Sequence, residues 1–121
     1  MRETQTGARE ISVEEFDEMI ENHDDLLIVD VREAGEFRRG HIPGAVLLPH
    51  GILDDAANAT GRLQMTQLLG GHQKTLVLCG QDGSDSTATA HALHQMGFGK
   101  VYSLAGGTDR WQAQGFALVT D

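Results

Sequence analysis

The chain is poor in cysteine: Cys79 stands alone among 121 residues. A single cysteine excludes an internal disulfide and any dithiol redox cycle run within this chain, and it suits a reducing cytoplasm. Basic residues are few too, 9 Lys and Arg against 18 Asp and Glu, for a formal charge of −9. Arg38-Arg39 is too short to make a basic patch. Nucleic acids and anionic membranes are therefore not expected as partners. Small substrates stay open, because a local site can oppose the net field. No stretch approaches the roughly 20 apolar residues of a membrane span. Met1 to Arg9 is polar, lacks the apolar core of a signal peptide, and is expected to be disordered. Residues 10–121 are then expected to form one domain, large enough for a real core but not for two.

What is present reads as alternating strands and helices. Ser12-Val13-Glu14-Glu15 has capping-box spacing, and Phe16, Met19 and Ile20 follow as an apolar stripe, so a short amphipathic helix is expected to about Asn22. Leu26 to Val31 is a near-continuous apolar run, the mark of a strand buried on both faces. Arg32 to Gly40 is polar and helix-compatible, and His41 to Pro49 reads as a turn and a short strand. Ile52 to Leu69 mixes loop and helical segments, with Leu63, Leu68 and Leu69 as expected core residues. Lys74 to Leu78 is a second buried strand, Ser86 to Met96 a helix ended by Gly97-Phe98-Gly99, and Val101 to Leu104 a third strand. Gly106-Gly107 turns into a short helix carrying Trp111. The pattern predicts an α/β fold, a central and mostly parallel sheet flanked by helices on both faces.

Cys79 lies where one strand ends and a small-residue loop begins: Cys79-Gly80-Gln81-Asp82-Gly83-Ser84-Asp85-Ser86 leads into the alanine-rich helix. Loop amides and a helix dipole at that place would lower a thiol pKa and make a nucleophile. A buried, inert thiol is the alternative, and these residues alone leave both open. In open α/β sheets the reactive site lies at the carboxyl ends of the strands, which brings Asp30 and Cys79 toward one rim and favours the nucleophile.

Three stretches in register carry a resemblance. Val29-Asp30-Val31-Arg32-Glu33 with Glu36-Phe37 and Gly40-His41-Ile42-Pro43-Gly44-Ala45 form the first, and Leu78-Cys79 with its loop the second. The third is Gly97-Phe98 with Val101-Tyr102-Ser103-Leu104-Ala105-Gly106-Gly107 and Trp111. Together, over about residues 10 to 118, they resemble the rhodanese-like sulfurtransferases. The resemblance implies that Cys79 accepts sulfane sulfur from thiosulfate or a persulfide and passes it to a thiophilic acceptor, with no metal or organic cofactor. Protein sulfur donors or acceptors are compatible with it.

The loop departs from the family pattern. Asp85 falls where many relatives carry arginine, and Cys79 to Asp85 spans seven residues, one more than sulfurtransferase members usually have. The longer loop is similar to that of rhodanese-fold phosphatases and arsenate reductases. An aspartate in place of the arginine that neutralises their oxyanion argues against that chemistry. Asp82 and Asp85 are expected to leave the thiol less acidic than in arginine-bearing relatives, and a persulfide is favoured over the thiosulfate dianion as donor. Ser84 and Ser86 could donate to the sulfur, although Ser86 is read in preference as the cap of the next helix, and Gly80 and Gly83 either let the loop amides converge or are ordinary loop glycines. Asp30 is expected to support the loop backbone from beneath. Arg32 is read as an ion-pair partner of a nearby acid in preference to an anion ligand, Trp111 as a packing residue, and His41 as a structural hydrogen bonder. His91 and His94 are read as solvent-facing, not as metal ligands. The readings carried forward are a sulfurtransferase, a non-catalytic or partner-dependent module of the same fold, and, least favoured, a phosphatase or arsenate reductase.

Overall fold

The structure, a computed structural model, describes residues 2–3, 9–22, 26–48, 75–82, 89–90, 93–94 and 100–120. Leu63, Leu68, Leu69, Gly83, Ser84, Asp85, Ser86, His91 and Gly97 to Gly99 lie outside them.

The described strands are β1 (Arg2–Glu3), β2 (Arg9–Ile11), β3 (Leu26–Asp30), β4 (Val46–Leu47), β5 (Thr75–Cys79) and β6 (Val101–Leu104). They join as one sheet in the order β1-β2-β6-β5-β3-β4. Every pairing from β2 to β4 is parallel, and only β1 on β2 is antiparallel. Strand β5 sits between β3 and β6, and all five of its residues are buried. That explains its unbroken apolar character: a strand covered on both faces has no solvent side to make polar.

Side-chain alternation sorts the core into two layers. Val29, Val31, Leu76 and Leu78 pack on one face with Ala90 and Leu93. Ile28, Val77 and Cys79 pack on the other with Ile11, Val13, Phe16, Leu104 and Trp111. Helix α1 (Val13–Asn22) covers this second face through Val13 and Phe16. Its start is fixed as the capping box predicts: the Glu15 amide donates to Ser12 Oγ at 3.0 Å, and the Ser12 amide donates to Glu15 Oε1 at 2.9 Å. Ile20, expected in the apolar stripe, instead stands 39% exposed. Helix α2 (Ala34–Arg39) follows β3, and helix α3 (Gly107–Ala113) follows β6. Thr89, Ala90, Leu93 and His94 are helical, within the stretch predicted to be a helix.

One expectation changes at the amino end. Arg2–Glu3, in the segment expected to be disordered, pairs with Glu10 and Arg9, and β2 itself begins at Arg9. Neither strand shows an apolar run. Strand β2 buries only Ile11 and gains its place by pairing with β6, from Arg9 opposite Tyr102 to Ile11 opposite Leu104.

Candidate active site

Parallel register sets the site. Cys79 ends β5 directly opposite Asp30, which ends β3. The ladder continues one step beyond, where the Val31 amide donates to the Cys79 carbonyl at 3.1 Å. Alternation along β5 turns Cys79 to the same face as Val77, into the layer with Phe16 and Trp111. The thiol residue is 0% exposed.

That burial corrects the expected electrostatics. The strand–loop–helix layout predicts a thiol of lowered pKa. Burial instead pushes the Cys79 thiol well above its ordinary range, the Asp30 carboxylate pushes the same way, and Arg32 opposes them only in part. Desolvation disfavours the thiolate because the apolar layer supplies nothing to replace its hydration.

Asp30 and Arg32 form a buried pair, 1% and 6% exposed. Arg32 Nη2 donates to Asp30 Oδ2 at 2.8 Å, Arg32 Nε donates to Oδ1 at 3.0 Å, and the Arg32 amide donates to Oδ1 at 2.9 Å. Arg32 Nη2 also donates to the Gly40 carbonyl at 2.6 Å, which ties the end of α2 to the rim. The ion-pair reading of Arg32 holds. Among the described residues, the Asp30 carboxylate bonds to Arg32 and not, as expected, to the backbone of the Cys79 loop, of which residues 83–86 lie outside that set. Burial works against the charged Arg32 guanidinium, but its hydrogen bonds to Asp30 and the charges of Asp30 and Glu36 outweigh that cost and leave it more firmly protonated than usual.

The loop after Cys79 is fastened by α3. The Thr108 amide donates to the Gly80 carbonyl at 2.9 Å, and the Asp109 amide donates to the Gln81 carbonyl at 3.0 Å. The Gln81 side chain returns a hydrogen bond to Asp109 Oδ1. Across a trans peptide, the N–H points opposite to the preceding carbonyl. The amides of Gln81 and Asp82 therefore face away from α3. Gly107 makes this approach possible: at φ +59°, a Cβ there would stand 2.7 Å from the Gln81 carbonyl oxygen and closer still to that of Gly80. The signal in the sequence was the pair Gly106-Gly107, read only as a turn. Both adopt positive φ.

The remaining candidates are structural. His41 Nδ1 lies 2.9 Å from the Phe37 carbonyl oxygen, and its ring stacks on Phe37 with centroids 3.8 Å apart. Trp111 is buried, donates from Nε1 to the Ala117 carbonyl at 3.0 Å, and packs between Phe16 and Phe116. His94 is exposed, and no cluster of metal-ligating side chains occurs among the described residues. Gly80, Gln81 and Asp82 follow Cys79 at the rim, with Gln81 and Asp82 exposed. Among the described residues, no helix is long and apolar enough to cross a membrane.

The fold and rim define an α/β domain that presents one cysteine at the carboxyl end of its central strand. The family model for the Rhodanese-like domain matches residues 12–114, and the chain belongs to that family. A Bacillus subtilis protein named as a candidate sulfur carrier, YrkF, is 30% identical over 90% of this chain. The chain spans about half of that protein's length, 54%. The thiosulfate sulfurtransferase GlpE of Pseudomonas savastanoi is 36% identical over 72% of this chain and 73% of its own length. Among solved structures, SSP1007 from Staphylococcus saprophyticus is 27% identical with a TM-score of 0.72, covering 92% of this chain and 98% of that one.

Proposed function

We propose that the chain is a sulfurtransferase in which Cys79 carries sulfane sulfur as a persulfide and hands it to a thiophilic acceptor. The observation that supports this reading most is the placement of the lone thiol at the carboxyl end of β5, at the head of a loop fastened to α3. A relative named as a thiosulfate sulfurtransferase supports the same chemistry.

In the loading step, the Cys79 thiolate attacks the outer sulfur of a persulfide R–S–SH. A new S–S bond forms to Sγ as the old one breaks, and R–S⁻ leaves with the bonding pair. The chemistry needs neither metal nor organic cofactor, and a reducing cytoplasm would keep the thiol free between cycles. In this reading Gly80, Gln81, Asp82, Gly83, Ser84, Asp85 and Ser86 surround the persulfide, and Asp30 with Arg32 supports the rim. A thiol buried among apolar side chains meets no donor, so its surroundings must open before Sγ reacts.

That burial favours one second reading: a module that loads only when a protein partner opens access to the thiol. Intact-protein mass after incubation with thiosulfate, and separately with a small persulfide, tests both. One added sulfur, removed by cyanide and absent in Cys79→Ala, is the expected result with the persulfide. No gain with either donor overturns the free-standing enzyme in favour of the partner-dependent module.

A further inference from the structure

A cavity of about 220 Å³ opens beside the Cys79 loop, between α2, Gln81 and the face of α3 that carries Gln112. It is lined by Arg32, Glu36, Arg39, Gln81, Gln112 and, as the apolar contact, Leu118. Arg32 is already neutralised by Asp30. The Gln81 amide is held by Asp109. That leaves one acid and one base to face the space, Glu36 and Arg39. They lie three residues apart on α2, a spacing that sets Cβ atoms about 5–6 Å apart on one helix face. Among the described residues, the Glu36 carboxylate accepts a long bond from the Glu33 amide, 3.4 Å, and acts on Arg32 only through its charge, and no side-chain hydrogen bond or ion pair involves Arg39.

We propose that this cavity selects an α-amino-acid thiol, or its persulfide, as the sulfur-exchange partner of Cys79, with the carboxylate on Arg39 and the ammonium on Glu36. The proposal rests on the sulfur-carrier reading and names the substrate class for it. At roughly 30 Å³ per water, the cavity holds about seven water-sized groups, the scale of one amino acid and well below a drug-sized ligand. Opposite charges at this spacing match both ends of a zwitterion. A dianion gains Arg39 but meets Glu36, and a bare cation meets the reverse, so the pair discriminates by repulsion as well as attraction. The free guanidinium presents the planar fork that carboxylates take. In the discharge step the acceptor thiolate attacks the outer sulfur of Cys79–S–SH. The new S–S bond forms as the bond to Sγ breaks, the pair leaves on Sγ, and the products are the acceptor persulfide and the Cys79 thiolate.

Two measurements on the full chain test this. Sulfur-loaded protein is discharged by cysteine, cysteamine, N-acetylcysteine and 2-mercaptoethanol at matched thiolate concentration, each rate taken relative to 2-mercaptoethanol in the same variant. Cysteine should exceed both singly charged analogues by about tenfold, the size of one charge-assisted contact. Arg39→Gln should erase the preference over cysteamine, and Glu36→Gln the preference over N-acetylcysteine. Glutamine at position 36 keeps the acceptor oxygen for the Glu33 amide, so α2 retains its start. Cysteine no faster than its analogues, or preferences untouched by both variants, would overturn the proposal.

The second measurement titrates serine, which cannot carry sulfane sulfur, while the side-chain amide signals of Gln81 and Gln112 are followed by NMR. Saturable shifts, lost in Arg39→Gln, support the site, and flat signals overturn it. Failure of Cys79 to load sinks the carrier reading alone, because the serine titration needs no sulfur.

Discussion

Asp30 stands opposite Cys79 in the β3–β5 register, so a buried carboxylate flanks the thiol at the strand ends. Its charge raises the thiol pKa, while Arg32, bound to that carboxylate, lowers it.

Opposite shifts should therefore follow from removing either member of the pair. Asp30→Asn is expected to move the pH midpoint of Cys79 alkylation down, and Arg32→Met to move it up. Each variant strands a buried charge or its hydrogen bonds, at a cost of about 3–5 kcal/mol. Alkylation rate against pH, corrected for the unfolded fraction from urea curves, checks both signs. An unmoved midpoint in Asp30→Asn would show that the carboxylate does not act on the thiol.

Alkaline pH should destabilise the wild type through Cys79. The folded thiol ionises above the ordinary value near 9.0, so above that pH the unfolded chain loses the proton first. The unfolded state then binds fewer protons than the folded one, and stability falls by about 1.4 kcal/mol per pH unit. Below that window the group contributes no pH dependence. Urea unfolding at several pH values from neutral to alkaline, run beside Cys79→Ala, isolates the term. The variant should show the shallower decline.

Gly107→Ala should disrupt the rim. A methyl group there enters the space of the Gly80 and Gln81 carbonyls, at a backbone conformation that side chains rarely adopt. The expected loss is about 2–4 kcal/mol, with sulfur loading of Cys79 reduced in parallel. Urea denaturation and intact mass measure the two effects. Unchanged loading in a folded variant would separate α3 from the function of the loop.

Trp111→Phe should cost about 1–2 kcal/mol, from the lost bond to the Ala117 carbonyl and a smaller ring against Phe16 and Phe116. Loading should persist, as expected of a packing residue. Thermal or urea unfolding gives the first quantity and intact mass the second.

The sequence made the inner sheet legible because β3 and β5 are largely apolar runs flanked by strands on both sides, and β6, Val-Tyr-Ser-Leu, is short but β-prone. Helix α1 was legible from Ser12 and Glu15, whose bonds are local and need no tertiary context. Strand β2 was not, because Arg9-Glu10-Ile11 has one apolar residue and is held by pairing with a segment some ninety positions away. An ion pair for Arg32 with a nearby acid was legible because Asp30 lies only two positions before it. The depth of Cys79 was not. It depends on Phe16, Leu104 and Trp111 arriving from three other elements, and loop composition carries no record of them.

Helix α3 reaches back to Gly80 and Gln81 across 28 positions, from Asp109 to Gln81. During synthesis, β5 and its cysteine leave the ribosome before the helix that fastens the loop. A partly made chain, or one clipped ahead of Gly107, has the thiol but lacks the amides of Thr108 and Asp109 that hold the first two loop carbonyls. Fastening of the rim thus waits on the synthesis of α3, after the cysteine has already emerged.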